Sequence, residues 1–216
     1  MALFAVVGGA GRTGRRVTDR LLERGHEVRI VSRHAKPASR TRVQSVPADL
    51  ATVDAEHPAL AEVAGVVVSV EPPYDAAGAD AVLHRGVSTL AGAVAARDVP
   101  VVLVSQIYIT RPEAYPEMAE VTRARGRGEQ ALRDSGAPYV IVRPGWLHDE
   151  PAAGVRLEQG DTGDGRVSRD TVADACVQAL LTPSARALTF EVFDGNDGPA
   201  DWPRLLAELT ADPIAR

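Results

Sequence analysis

The stretch VVGGAGRTGRR, residues 6–16, decides how the chain begins to fold. It continues the apolar run Leu3–Val7 and leads into a segment where Val17, Leu21 and Leu22 share one face, with Gly25 as a stop. A buried strand, a glycine turn and a helix are expected in that order. The glycines fit two frames. Gly9, Gly11 and Gly14 give G-x-G-x-x-G; Gly8, Gly11 and Gly14 give G-x-x-G-x-x-G. In either frame the glycines permit a tight turn and bring the backbone close to a pyrophosphate. Arg12, Thr13 and Gly14 then open a helix whose unpaired N–H groups favour an anion. The loop reads as a dinucleotide site.

Which dinucleotide depends on the end of the next strand, Glu27–Ser32. An acidic residue there, about 20 residues past the loop, would bond a ribose 2'-hydroxyl. The chain instead has Ser32, Arg33 and His34. Arg33 suits a 2'-phosphate, because the guanidinium fork matches phosphate oxygens. Arg12 is expected to reach the same phosphate, Ser32 to add a hydroxyl, and Lys36 to face solvent nearby. NADP is therefore expected over NAD.

Outward from this unit the pattern repeats. Val43–Ala48, Gly65–Val70, Val101–Ser105 and Tyr139–Arg143 are further strand candidates. Pro72-Pro73 ends one of these and Pro144-Gly145 another. Residues 51–62, 78–97 and 117–135 are expected to be helical. Continuous apolar strands alternating with helices specify a doubly wound α/β fold with a parallel sheet, a Rossmann-like arrangement. Its ligands bind beyond the carboxyl ends of the strands. After residue 150 the pattern loosens. A helix over 169–182, a strand over Ala187–Phe193 and a helix over 200–211 are expected to pack on the same domain.

Composition limits the alternatives. The chain has 216 residues, 45% apolar and 25% charged, with a formal net charge of -5. That fits one globular domain and gives no basic surface for nucleic acid or acidic membranes. No run reaches the roughly 18 apolar residues of a membrane helix. No signal peptide is read before the first strand. The one cysteine, Cys176, allows no intrachain disulfide and fits a reducing, cytoplasmic setting. Lys36 is the one lysine among 24 basic residues, a bias expected of a GC-rich bacterial genome. His26, His34, His57, His84 and His148 show no metal-ligand spacing, so no metal is expected. A small-molecule substrate and a monomer or homodimer complete the expectation.

The segments FAVVGGAGRTGRRV, VRIVSR, PADL, VVLVS, GEQALRDSGAPYVIVRPG and GRVSRDTVADACVQAL follow one another in order. Together they resemble the atypical short-chain dehydrogenase/reductase group, the small NAD(P)-binding proteins akin to biliverdin reductase B and the NmrA-like proteins. The resemblance implies roles for particular residues. Asp49 and Leu50 would contact adenine. Ser69 and Val70 would line the ribose and pyrophosphate. Ser105 would lie near the nicotinamide. Arg143, Pro144 and Gly145 would shape the nicotinamide and substrate pocket.

The chain departs from the larger relatives at their Tyr-x-x-x-Lys pair. Spacing from GEQALRDSG places Val121 at the tyrosine and Arg125 at the lysine. Arg125 keeps a positive charge but does not deprotonate usefully near neutral pH. A carbonyl acceptor needs a proton as well as a hydride. Tyr108, Tyr115 and His148 are the candidate donors, while a flavin, quinone or pyrrole-like acceptor takes its proton from water. Gly126 and Gly128 are read as helix packing, Asp161 and Asp164 as turn formers, and Cys176 as core. The expected function is NADP-dependent hydride transfer to a small planar carbonyl, quinone or flavin-like acceptor. The alternatives are a non-catalytic NADP sensor and a cofactor-dependent isomerase, dehydratase or epimerase.

Overall fold

Alternation along the central strands makes the sheet two-faced. In β1 (Leu3–Val7), Phe4 and Val6 turn into one apolar cluster, and Ala5 and Val7 into the other. A sheet with two apolar faces must be covered on both. A computed structural model describes residues 1–71, 73–196 and 198–213 of the chain. Pro72 of the expected Pro72-Pro73 stop lies outside the described residues.

Helix α1 (Arg12–Glu23) follows β1, and β2 (Glu27–Ser32) and β3 (Val43–Pro47) extend the sheet on one side. On the other side stand β4 (Val66–Val68), β5 (Val101–Val104) and β6 (Tyr139–Pro144), all parallel to β1. The strand order is thus β3-β2-β1-β4-β5-β6, and it reverses direction between β1 and β4. A crevice opens at such a reversal, outside the carboxyl ends of the strands.

The segment between β4 and β5 is one long irregular helix. α2 (Ala76–Ala79) passes through a π-helical stretch, Asp80–Gly86, into α3 (Val87–Ala95). Helix α4 (Ala119–Asp134) crosses it closely. A Cβ on Gly128 would lie 1.9 Å from the Leu83 carbonyl, so helix packing accounts for that glycine. The helix expected over 51–62 does not form. Two short 3₁₀ turns, Leu50–Thr52 and Pro58–Leu60, stand there instead. The Asp49 side chain caps the first turn, and Pro58 opens the second and restricts the residue before it.

The tail does more than pack on the domain. Two short strands, β7 (Trp146–His148) and β9 (Arg166–Ser168), pair with each other beyond the end of β6. Strand β8 (Gly154–Glu158) pairs antiparallel with β10 (Leu188–Gly195), and β10 pairs with β6. Helix α5 (Arg169–Leu181) packs beside α1 and joins it by ion pairs from Arg16 and Arg20 to Asp170 and Asp174. Cys176 is buried in that layer, as expected. The last helix, α6 (Trp202–Ala207), buries Trp202 and Leu206 against the same layer. No helix among the described residues is long and apolar enough to cross a membrane.

Candidate functional site

The glycine loop settles its own frame. Gly8 has φ +82°, a conformation that disfavours side chains, and a Cβ there would fall 2.1 Å from the Ser69 carbonyl of the strand across the crevice. A Cβ on Gly14 would fall 2.3 Å from the Gly8 carbonyl. Gly9 instead packs against Ile30 of β2, away from the crevice. Gly8, Gly11 and Gly14 are therefore the working triplet. Gly11 precedes α1 in extended backbone, and no side chain caps that helix. Its first N–H groups are left for a ligand.

From this loop the crevice runs along the strand ends as three joined hollows. The first is lined by Gly8, Gly11, Ser32, Arg33, His34, Asp49, Leu50, Ser69 and Val70. Arg33 is exposed there and makes no ion pair among the described residues. The second hollow shares Gly11, Ser69, Val70 and Glu71 with the first, and adds Arg12, Thr13, Ser105, Arg125, Pro144 and Arg169. The third shares Ser105, Gln106, Met118, Arg125, Pro144 and Leu147 with the second. Ile107, Tyr108, Tyr115 and Trp146 wall the third hollow.

Four expectations need correction. Arg12 does not join Arg33. It lines the second hollow, where Arg12, Arg16 and Arg169 converge on Asp149 at 3.6, 3.2 and 3.2 Å. Arg143 does not shape the pocket with its side chain. Its guanidinium bonds Glu129 at 3.0 and 2.6 Å and Glu191 at 3.3 Å, because those buried carboxylates lie behind β6. Burial opposes the Arg143 charge, yet the Glu129 carboxylate raises its pKa. His148 lines none of the three hollows. Its Nε2 bonds Asp194 at 2.6 Å and its Nδ1 accepts from the Glu150 N–H, which leaves no nitrogen for a substrate. Asp161 is more than a turn former. It is 1% exposed, and its carboxylate accepts from the Tyr108 and Thr110 N–H groups and the Thr110 hydroxyl at 2.7, 2.7 and 2.9 Å.

That bracing explains how Tyr108 faces the third hollow. Tyr108 has φ +69°, a strained value for a bulky residue, and Asp161 holds its N–H. The Tyr108 and Tyr115 hydroxyls are 3.4 Å apart, and Trp146 stacks edge-on against Tyr115 with centroids 5.1 Å apart. Arg111 covers the Tyr108 ring at 4.6 Å. Burial first, then the Tyr115 hydroxyl and Asp164, push the Tyr108 phenol well above its ordinary value. It therefore stays protonated near neutral pH.

Ser105 and Arg125 sit where the second and third hollows meet. Ser105 is 4% exposed, and its hydroxyl has no protein partner. Arg125 is not a solvated helix residue. It donates to the Val104 carbonyl at 3.2 Å and the Val70 carbonyl at 3.5 Å, while its Nε is buried without a partner. Burial pulls its pKa down to about 10, so it remains a cation at neutral pH.

The family model described as NAD(P)H-binding matches residues 8–183. An uncharacterised chloroplastic protein of Arabidopsis thaliana is 30% identical over 220 residues, covering 90% of this chain and 77% of that protein. The chain belongs to the NAD(P)H-binding family. Sanguinarine reductase of Eschscholzia californica is 36% identical over 95 residues, covering 39% of this chain and 34% of that enzyme. Among solved structures, a Bacillus halodurans protein provisionally assigned as an NAD-dependent epimerase/dehydratase superposes with TM-score 0.84 at 23% identity, covering 97% of this chain and 100% of that one. A short-chain dehydrogenase/reductase of Veillonella parvula in complex with NADP superposes with TM-score 0.72 at 17% identity, covering 91% and 96%. The solved structures share the Rossmann-like fold of this chain.

The residues present fit a dinucleotide of this family. The glycine cradle would be filled by any Cβ at Gly8 or Gly14, and the unpartnered Ser105 hydroxyl and Arg125 Nε lie along the same crevice. Gly11, Arg12 and Thr13 would take the pyrophosphate, and Ser32, Arg33, Asp49 and Leu50 the adenosine end. The Asp49 carboxylate itself is engaged with the Ala51 N–H. Trp146, Met118 and Gln106 were not singled out from the sequence. Trp146 directly follows the RPG turn, and that adjacency was the available signal.

Proposed function

We propose that the chain is an NADP-dependent reductase of a small planar acceptor, of the quinone, flavin or aromatic carbonyl type. One observation carries the proposal. The aromatic hollow of Tyr108, Tyr115 and Trp146 opens onto the crevice of the glycine loop, with Ser105 at the junction. NADPH supplies a hydride when bound. The chain does the rest. Its largely apolar walls offer a flat ring an aromatic surface to pack against. The Ser105 hydroxyl orients an acceptor oxygen. The Tyr108 phenol, protonated and in reach of Tyr115, is the proton donor for acceptors that need one. Arg33 supports NADP over NAD, since an exposed, unpaired guanidinium stands where an acidic residue would bond a 2'-hydroxyl. The lone buried thiol suits a reducing compartment, the cytoplasm in this reading.

The test is oxidation of NADPH with quinones, flavins and aromatic aldehydes in turn. Turnover with at least one is expected, and Tyr108→Phe should slow the aldehydes more than the quinones. Tight NADPH binding without oxidation by any acceptor would instead make the protein a sensor. Substrate conversion with no net change in nicotinamide absorbance would make it an isomerase or dehydratase. For the cofactor, Arg33→Glu should weaken NADP by about tenfold or more and leave NAD nearly unchanged. Unchanged NADP affinity would remove the phosphate assignment.

A further inference from the structure

The buried arginines Arg29, Arg143 and Arg169 all have partners, Arg169 through Asp149, whereas the Nε of the half-buried Arg125 does not. Arg29 bonds Gln44 and three backbone carbonyls, and Arg143 is held by two carboxylates. Their hydrogen-bonding capacity is met inside the fold. Arg125 has only two long carbonyl contacts, no ion pair among the described residues, and a buried Nε with no partner. A desolvated cation in that state is costly unless something supplies the missing acceptors and charge. The nearest candidate, Glu129, already serves Arg133 and Arg143. Of the side chains lining the aromatic hollow, Arg125 is the one that carries a charge. The second buried orphan, the Ser105 hydroxyl, lines the same wall. Glu71, whose charge also acts on Arg125, lines the two neighbouring hollows and Glu117 the second of them, where Arg12 and Arg169 also stand, and neither carboxylate lines the aromatic hollow.

We infer that the aromatic hollow selects planar aromatics bearing an anionic oxygen, a carboxylate or phenolate received by Arg125 and the Ser105 hydroxyl. The inference rests on that hollow being the acceptor site. It narrows the acceptor class to anionic aromatics and turns away cationic rings, which would meet an unneutralised guanidinium in a low-dielectric wall.

The test is binding, without turnover. 2-Naphthoate, 2-naphthamide and N-methylquinolinium are titrated at saturating NADP, with quenching of Trp146 as the signal and Trp146→Phe as the blank. Naphthoate should bind about tenfold or more tighter than naphthamide, as expected of a charge-assisted hydrogen bond. Quinolinium should bind weakest. Arg125→Met should erase the naphthoate advantage over naphthamide, and Arg125→Lys should keep part of it. Equal affinities in the wild type, preference for the cation, or an advantage that survives Arg125→Met would each overturn the inference. Should Arg125→Met fail to fold, the wild-type series and Arg125→Lys still decide. NADPH oxidation is scored separately. Selective naphthoate binding without oxidation by any acceptor would sink the reductase proposal and leave the anion preference standing.

Discussion

The two ends of the crevice are built on different principles. The glycine-loop end is made of backbone: Gly14 against Gly8 and an uncapped helix start within eleven residues, closed over Gly8 by the Ser69 carbonyl at the end of β4. The aromatic end is made of side chains brought together over long separations. Tyr108 depends on Asp161, 53 residues away, and Asp161 in turn receives support from Glu191, whose carboxylate accepts the Asp161 N–H. Glu191 pairs with Arg143, and Arg143 with Glu129. A site for a common phosphate group needs only local backbone geometry. A site for a particular acceptor needs a fixed arrangement of bulky groups, and a buried polar network fixes it.

Breaking that network should give the largest effect. Glu129→Ala leaves Arg143 with one weaker carboxylate in a buried setting, and should cost about 3–5 kcal/mol of stability. The midpoint of urea unfolding measures this. A loss below about 1 kcal/mol would mean that the network does not brace the aromatic end.

Asp161→Ala separates the two ends more selectively. It frees three donors around Tyr108 and relieves the hold on a strained backbone. The acceptor KM should rise by about tenfold, and stability should fall by about 1–3 kcal/mol. The dissociation constant of NADPH should stay within about twofold of the wild type, because differences of that size lie within a fraction of a kcal/mol. Equal damage to both constants would show the two ends to be coupled.

The smallest effect is a pH dependence away from both ends. Asp80, on the π-helical stretch, has its pKa lowered from 3.8, chiefly by its hydrogen bond to Arg127 of α4 and then by His84. The folded state binds this proton less tightly than the unfolded one. Its stabilising contribution is therefore present above pH 3.8 and is lost as pH falls through the depressed value. The melting temperature of Asp80→Asn should trail the wild type at pH 7 and converge on it as the pH falls below 3.8 through the depressed value. A constant gap across that range would assign the effect to packing.

Legibility followed the same division. The strands β1, β2, β5 and β6 were readable from β-branched runs between turn residues, and the glycine loop from its strand and helix neighbours. The helix expected over 51–62 failed because Asp49 and Pro58 favour separate short turns over one continuous helix. Strand β8 was missed because it borders the sheet in half-exposed residues and lacks a long apolar run. Ser105 and Tyr108, read as candidates because they follow a strand end, line the same hollow. Arg143 and His148 stand within the last residues of β6 and β7, yet their side chains are engaged by Glu129, Glu191 and Asp194. No spacing rule connects residue 148 to residue 194.

The sequence by itself determined the parallel part of the sheet, the direction of its crevice and the glycine loop, since alternation, glycine conformational freedom and helix starts are properties of neighbouring residues. Only the tertiary structure decided which charges are neutralised. Arg143 acquired two carboxylates, Arg12 pairs with Asp149, and Arg125 was left half-buried with an Nε donor unmet among the described residues. The partners of a charged side chain come from whatever the fold packs beside it, and desolvation makes that choice matter most where water is excluded.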